Sequence, residues 1–89
     1  MDARRRKLFF RASRRGFKEM DLLMGEFAGA RLEGMTPDEL DEFERLLDMP
    51  DQDVYGWIIG REEEPSNASG SVLEQLKAFD LPAHRSAQK

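Results

Sequence analysis

Residues 35–47 read MTPDELDEFERLL, and this stretch decides the fold class. Thr36 is followed by Pro37, suited to a first helical position, and three residues on by Glu39, so Thr36 and Glu39 form a capping box. Met35 and Leu40 can close a hydrophobic staple over the same turn. Beyond the cap, Leu40, Phe43 and Leu47 recur at helical spacing, while Asp38, Asp41, Glu42 and Glu44 fall on the opposite, water-facing side. Such a helix needs other apolar stripes to pack against, and the flanking sequence supplies them. Upstream, a helix from about Arg15 to Leu32 carries Met20, Leu23, Met24 and Phe27 inward and stops at Gly34; a shorter one covers Arg4 to Ala12. Downstream, Pro50 marks a break before a helix capped by Asp51. Val54, Tyr55, Trp57, Ile58 and Ile59 make that helix apolar over too wide an arc for a surface position, which places it centrally. Glu62 to Gly70, with Pro65 as a breaker, reads as a mobile connection. A last helix opens on a second capping box, Ser71 and Glu74, carries Leu73, Leu76 and Phe79, and stops at Pro82. No stretch shows the sustained alternation of a half-buried strand. The expectation is all-α: a small five-helix bundle, a single domain over 1–89 with its core at about 4–81 and a flexible tail at 82–89.

A chain of 89 residues buries only about 60 to 65% of its unfolded surface, so its core is thin and function is expected on the surface. Cysteine is absent, which excludes disulfides, thiolate metal sites and cysteine nucleophiles. No apolar run approaches a membrane span, and Leu8, Phe9 and Phe10, flanked by arginines, are too short for a signal-peptide core. The composition points to a soluble intracellular protein. The net charge of −4 hides an asymmetry: residues 1–15 carry Arg4, Arg5, Arg6, Lys7, Arg11, Arg14 and Arg15 against Asp2, whereas residues 16–65 are strongly acidic.

At Arg14-Arg15-Gly16-Phe17-Lys18-Glu19, local physics and the residues present disagree. Arginines at a helix start oppose the positive end of the macrodipole; an Arg15–Glu19 pair offsets part of this in the poorer i,i+4 orientation. Gly16 allows a close approach that a side chain would block. On these grounds alone a hinge glycine beside solvated arginines is the favoured reading, with a partner that uses the arginines as the alternative. Other features resemble chemistry and are weighed down by their context. Asp51, Asp53, Gly56 and Glu62 fit positions 1, 3, 6 and 12 of a calcium loop, but Tyr55 and Ile59 occupy ligand positions, so the segment reads as a helix start. His84 is the lone histidine, in the polar tail, so neither a catalytic triad nor a histidine metal site can be assembled. Gly25 and Gly29, spaced as GxxxG, are read as a seat for another helix. Asn67-Ala68-Ser69 has the form of a glycosylation sequon and, without a secretory signal, carries no weight.

The string RRGFKEMDLLMGEFA (14–28), followed by FERLL (43–47), PDQD (50–53) and YGWI (55–58), strongly resembles the SdhE/Sdh5 family of succinate dehydrogenase flavinylation factors. The family's Arg-Gly-x-x-Glu motif is matched by Arg15, Gly16 and Glu19, and the likeness covers about Arg4 to Ile59. It implies a five-helix protein that is not an enzyme and has no cofactor of its own. Such a factor docks on the flavoprotein subunit of succinate dehydrogenase, whose FAD is bound but not yet covalently linked. Whether a fumarate reductase is also a target stays open. The bond between a partner histidine and the flavin methyl carbon then forms in the partner's own site. The resemblance assigns partner binding to Arg14, Arg15, Gly16, Phe17, Lys18 and Glu19. Arg15 would offer charged hydrogen bonds, Gly16 a close backbone approach, and Glu19 a partner contact or the orientation of Arg15. It implies no nucleic acid, no membrane insertion, a monomer when free and, since the motif begins by residue 15, a bacterial cytoplasmic setting.

Two rival classes follow from the basic N-terminus. One is a small helical nucleic-acid-binding or antitoxin-like protein, against which stands the acidity of the remaining surface. The other, weaker, is a basic amphipathic helix resting on anionic membrane through Leu8, Phe9 and Phe10.

Overall fold

The computed structural model describes residues 1–79, in the order α1 (Ala3–Ala12), α2 (Lys18–Arg31), a 3-10 turn (Leu32–Gly34), α3 (Pro37–Leu47), α4 (Asp51–Ile58) and α5 (Ser71–Ala78). Among the described residues there is no strand, and the all-α, five-helix reading is correct. Pro82, His84 and the tail at 82–89 lie outside the described residues.

Helix α3 begins as its sequence dictates: Thr36 accepts from the Glu39 N–H at 3.2 Å and Glu39 accepts from the Thr36 N–H at 3.0 Å. Met35, Leu40, Phe43, Leu46 and Leu47 are buried. Helix α1 runs antiparallel to α2, as three points of contact show. Arg5 Nε donates to the Leu32 carbonyl at 2.9 Å, Phe9 lies over Gly29, and Ser13 lies over Gly25. A Cβ at Gly25 would come within 3.3 Å of Ser13 Oγ. The GxxxG spacing is thus a helix seat, as expected, and its occupant is α1. Along α3, α1 runs parallel and pairs opposite charges: Arg4 with Asp41 at 2.6 Å and Glu44 at 3.1 Å, and Arg11 with Asp48 at 2.5 Å. The charge asymmetry of the sequence is therefore partly an internal complementarity between two helices.

The core joins Met20, Leu23, Met24 and Phe27 of α2 to Phe43 and Leu46 of α3, Val54 of α4, and Val72, Leu73 and Leu76 of α5. Phe27 holds its centre, with Phe43 at 5.8 Å and Phe79 edge-on at 5.5 Å. Helix α4 is buried over Val54–Ile58, the central position its width required. It ends in a Schellman turn: Gly60, at φ 81°, supplies the left-handed residue, and the Arg61 N–H reaches the Gly56 carbonyl at 2.9 Å. The connection to α5 has no helix but is anchored, by Ala68 in the core and by a Lys77–Glu64 pair at 2.8 Å.

Three local expectations are corrected by long-range bonds. Helix α2 starts at Lys18 rather than Arg15, because residues 13–17 form a turn held from outside. Asp51 does not cap α4; Pro50 occupies the N-cap without a side-chain bond, and the Asp51 carboxylate points elsewhere. Ser71 and Glu74 form no capping box. Instead Glu42, expected to face water, is half-buried and caps α5 from across the bundle, accepting from the Val72 N–H at 2.7 Å.

Candidate functional site: the Arg15–Gly16 turn

The turn between α1 and α2 lacks a cap of its own, since Phe17, at the N-cap of α2, makes no side-chain bond. Its geometry comes from two aspartates. Asp21, one turn into α2, accepts the Arg15 backbone N–H. Asp51, on the first turn of α4, uses one oxygen for the Arg15 guanidinium, with Nε at 2.9 Å and Nη2 at 2.8 Å. Its other oxygen takes the Gly16 backbone N–H at 2.6 Å. The same guanidinium donates to the Leu47 carbonyl at 2.7 Å and the Arg11 carbonyl at 3.1 Å. Those carbonyls lie in the last turns of α3 and α1, where unpaired C=O groups attract a cation.

The six residues singled out in the sequence thus divide in two. Arg15 turns inward: its side chain is 10% exposed and Asp51's is 18%. The Arg15–Glu19 pair does not form, and the Arg15 guanidinium is directed to carbonyls at the C-terminal ends of α3 and α1 rather than over the start of α2. Phe17 is half-buried and meets the Tyr55 ring edge-on at 5.3 Å, tying the turn to α4. Arg14, Gly16, Lys18 and Glu19 are exposed. The Arg14 guanidinium lies 4.5 Å from the centre of the Phe10 ring, whereas Lys18 and Glu19 form no described hydrogen bond or ion pair. Burial pushes the Tyr55 phenol above its ordinary value, and the nearby Glu19 carboxylate adds to that while Arg61 opposes it. The outward face of the turn is therefore a small, charged, backbone-rich surface rather than a cavity. The approach at Gly16 is close: a Cβ there would sit 2.9 Å from Asp51 Oδ2, so a side chain at 16 makes that carboxylate shift.

Sequence reasoning missed Asp21 and Asp51 as members of this site. Asp51 stood out as a cap, as the first position of a calcium loop and within PDQD of the family likeness, and none of these placed it beside Arg15. Residues 51–58 are helical, and no cluster of acidic or histidine side chains suited to a metal occurs among the described residues. Of the N-terminal cations, Arg4, Arg5, Arg11 and Arg15 are in intramolecular ion pairs. Among the described residues no helix is long and apolar enough to cross a membrane.

Comparison with known proteins gives the family to which this stretch of chain belongs. The family described as the flavinator of succinate dehydrogenase, Sdh5, matches residues 6–80, a span that contains the whole turn, both aspartates, α2–α5 and all of α1 but its first turn. The chain belongs to the Sdh5 family. It is similar to the FAD assembly factor SdhE of Acetobacter pasteurianus, at 40% identity over 83% of this chain and 68% of that protein. It is also similar to the mitochondrial succinate dehydrogenase assembly factor 2 of Debaryomyces hansenii, at 44% identity over 64% of this chain and 40% of that one. The Dictyostelium discoideum protein of the same name is 36% identical over 82% of this chain and 52% of its own length. This Sdh5-family chain thus spans about two thirds of the bacterial relative and about half or less of the two mitochondrial ones.

Proposed function

We propose that this protein is an FAD assembly factor, one that binds the flavoprotein subunit of succinate dehydrogenase and promotes covalent attachment of its FAD. The observation that carries this reading is the family match over 6–80, joined to 40% identity with a bacterial FAD assembly factor. The factor holds no cofactor, acts on FAD bound to the partner, performs no catalytic step itself and works in the bacterial cytoplasm. Its contribution is differential binding: by docking more tightly on the flavinylation-competent conformation of the subunit, it raises the population of that conformation. Residues 14–19 form the docking surface. Gly16 brings main chain to the partner, Lys18 and Glu19 offer uncommitted charges of both signs, Arg14 and Phe17 flank them, and Arg15 holds the turn from within.

The test is in-gel flavin fluorescence of the denatured flavoprotein subunit from cells with and without the gene, complemented by wild type or Gly16→Arg. Covalent flavin lost without the gene and restored by wild type alone is the expected outcome. Unchanged flavin in cells lacking the gene would overturn the assignment.

A further inference from the structure

We propose that Asp51 is the positioning residue of the docking surface. From the first turn of α4, its carboxylate sets the backbone at Arg15–Gly16 and thereby the orientation in which Phe17, Lys18 and Glu19 are presented. The inference rests on the docking role proposed for residues 14–19. Of the contacts that hold this turn, two are made by Asp51, beside those of Asp21, of the Leu47 and Arg11 carbonyls and of the Tyr55 ring. The Arg15 N–H is held by Asp21; the Arg15 guanidinium and the Gly16 N–H are held by separate oxygens of Asp51. Because the carboxylate is planar and rigid, occupying both oxygens fixes side chain and main chain relative to one another. Asp51 also makes no cap bond to its own helix, so its acceptors are given over to the turn. The close approach at Gly16 involves the same residue. A Cβ would meet Asp51 Oδ2 at 2.9 Å, so a side chain there displaces the carboxylate before any partner arrives.

An amide at this position has one acceptor oxygen where the acid has two, so Asp51→Asn can satisfy Arg15 or Gly16 but not both. Titrating full-length factor onto the FAD-loaded flavoprotein subunit and following covalent flavin by fluorescence reads the consequence. Asp51→Asn is expected to raise the half-saturating factor concentration about tenfold, the effect of losing one charge-assisted hydrogen bond, with most of the yield recovered at saturation. Hydrogen exchange at the Gly16 amide should accelerate relative to core amides of α3. Gly16→Ala should be defective alone, yet add no further loss in an Asp51→Ala background, since the two act through one contact. Should Asp51→Ala fail to fold, Asp51→Ser, which also lacks a second terminal atom to meet a Cβ at 16, completes the same cycle.

A wild-type half-saturation for Asp51→Asn would overturn the proposal, as would additive losses in the double variant. Weakened docking with an unaltered Gly16 amide would overturn it too, by showing that Asp51 touches the partner directly. Failure of the wild-type factor to promote flavinylation is a different result, and it would count against the docking role itself.

Discussion

Two junctions in this molecule are built by opposite means. At the start of α3 the chain caps itself: Thr36 and Glu39, three residues apart, satisfy each other's backbone N–H groups. At the start of α2 one near acceptor, Asp21, takes the Arg15 N–H, and the Gly16 N–H is held by Asp51 from 35 residues away. The first arrangement forms with its helix and needs no tertiary structure. The second exists only once α1, α3 and α4 have come together, so the proposed docking surface is assembled by the fold rather than by its own sequence. A surface made this way has one geometry as long as the bundle is intact, which suits the proposed role of selecting one conformation of a partner.

If remote anchors matter more than local caps, their loss should cost more. The largest effect is expected for Arg15→Ala. It strands the half-buried Asp51 carboxylate and removes the donor to the Leu47 and Arg11 carbonyls. Breaking a buried pair from one side costs about 3 kcal/mol, a large share of the stability of a small domain. Urea unfolding with an unchanged slope would report it; a loss as small as that of an exposed ion pair would mean that the Arg15–Asp51 contact is solvated in solution. Glu42→Ala is next. It leaves the Val72 and Leu73 N–H groups without their acceptor and removes a negative charge from the start of α5, at about 2 kcal/mol. Hydrogen exchange over 72–76 should rise first. If Ser71→Ala proves as damaging, the cap of α5 is local after all and the contrast between the junctions narrows.

What could be read in the sequence follows the same division. The apolar stripes at Leu40, Phe43 and Leu47 or Met20, Leu23, Met24 and Phe27 are periodic signals, and each marks a buried face. The Thr36 cap and the Gly25–Gly29 seat depend on spacings within one or two turns, and both were legible. Ser71 with Glu74 has the same local form as Thr36 with Glu39, yet forms no box. Glu42 already supplies the acceptor there, and Ser71 is drawn to Glu39 at 3.3 Å. Asp51 likewise had the residue type and place of a cap while its carboxylate was committed to Arg15. A pair 36 residues apart leaves no periodicity, and the many acids of residues 16–65 offered no ground for choosing one. The motif Arg15, Gly16 and Glu19 was visible only through family resemblance. That its arginine faces inward followed from no feature of the sequence.

The smallest effect is expected at the local junction, where the two halves of the capping box should separate by pH. Thr36→Ala removes the hydroxyl that accepts the Glu39 N–H and should cost about 1 kcal/mol, some 4–8 °C in Tm for a domain of this size. The loss should be uniform with pH, because the hydroxyl does not titrate. Glu39 behaves otherwise. The Thr36 backbone N–H, and after it the Gln75 amide, hold its carboxyl below the ordinary value of 4.5. A depressed folded-state pKa means that its contribution is present in full above the unfolded value and disappears as pH falls through the folded one. Glu39→Gln should therefore destabilise at neutral pH and converge on wild type in acid, while Thr36→Ala, which keeps the backbone N–H, retains most of the wild-type acid dependence. Thermal melts of the three proteins between pH 7 and pH 3 decide it: a Glu39→Gln curve parallel to wild type throughout would show that the charged half of the box contributes nothing.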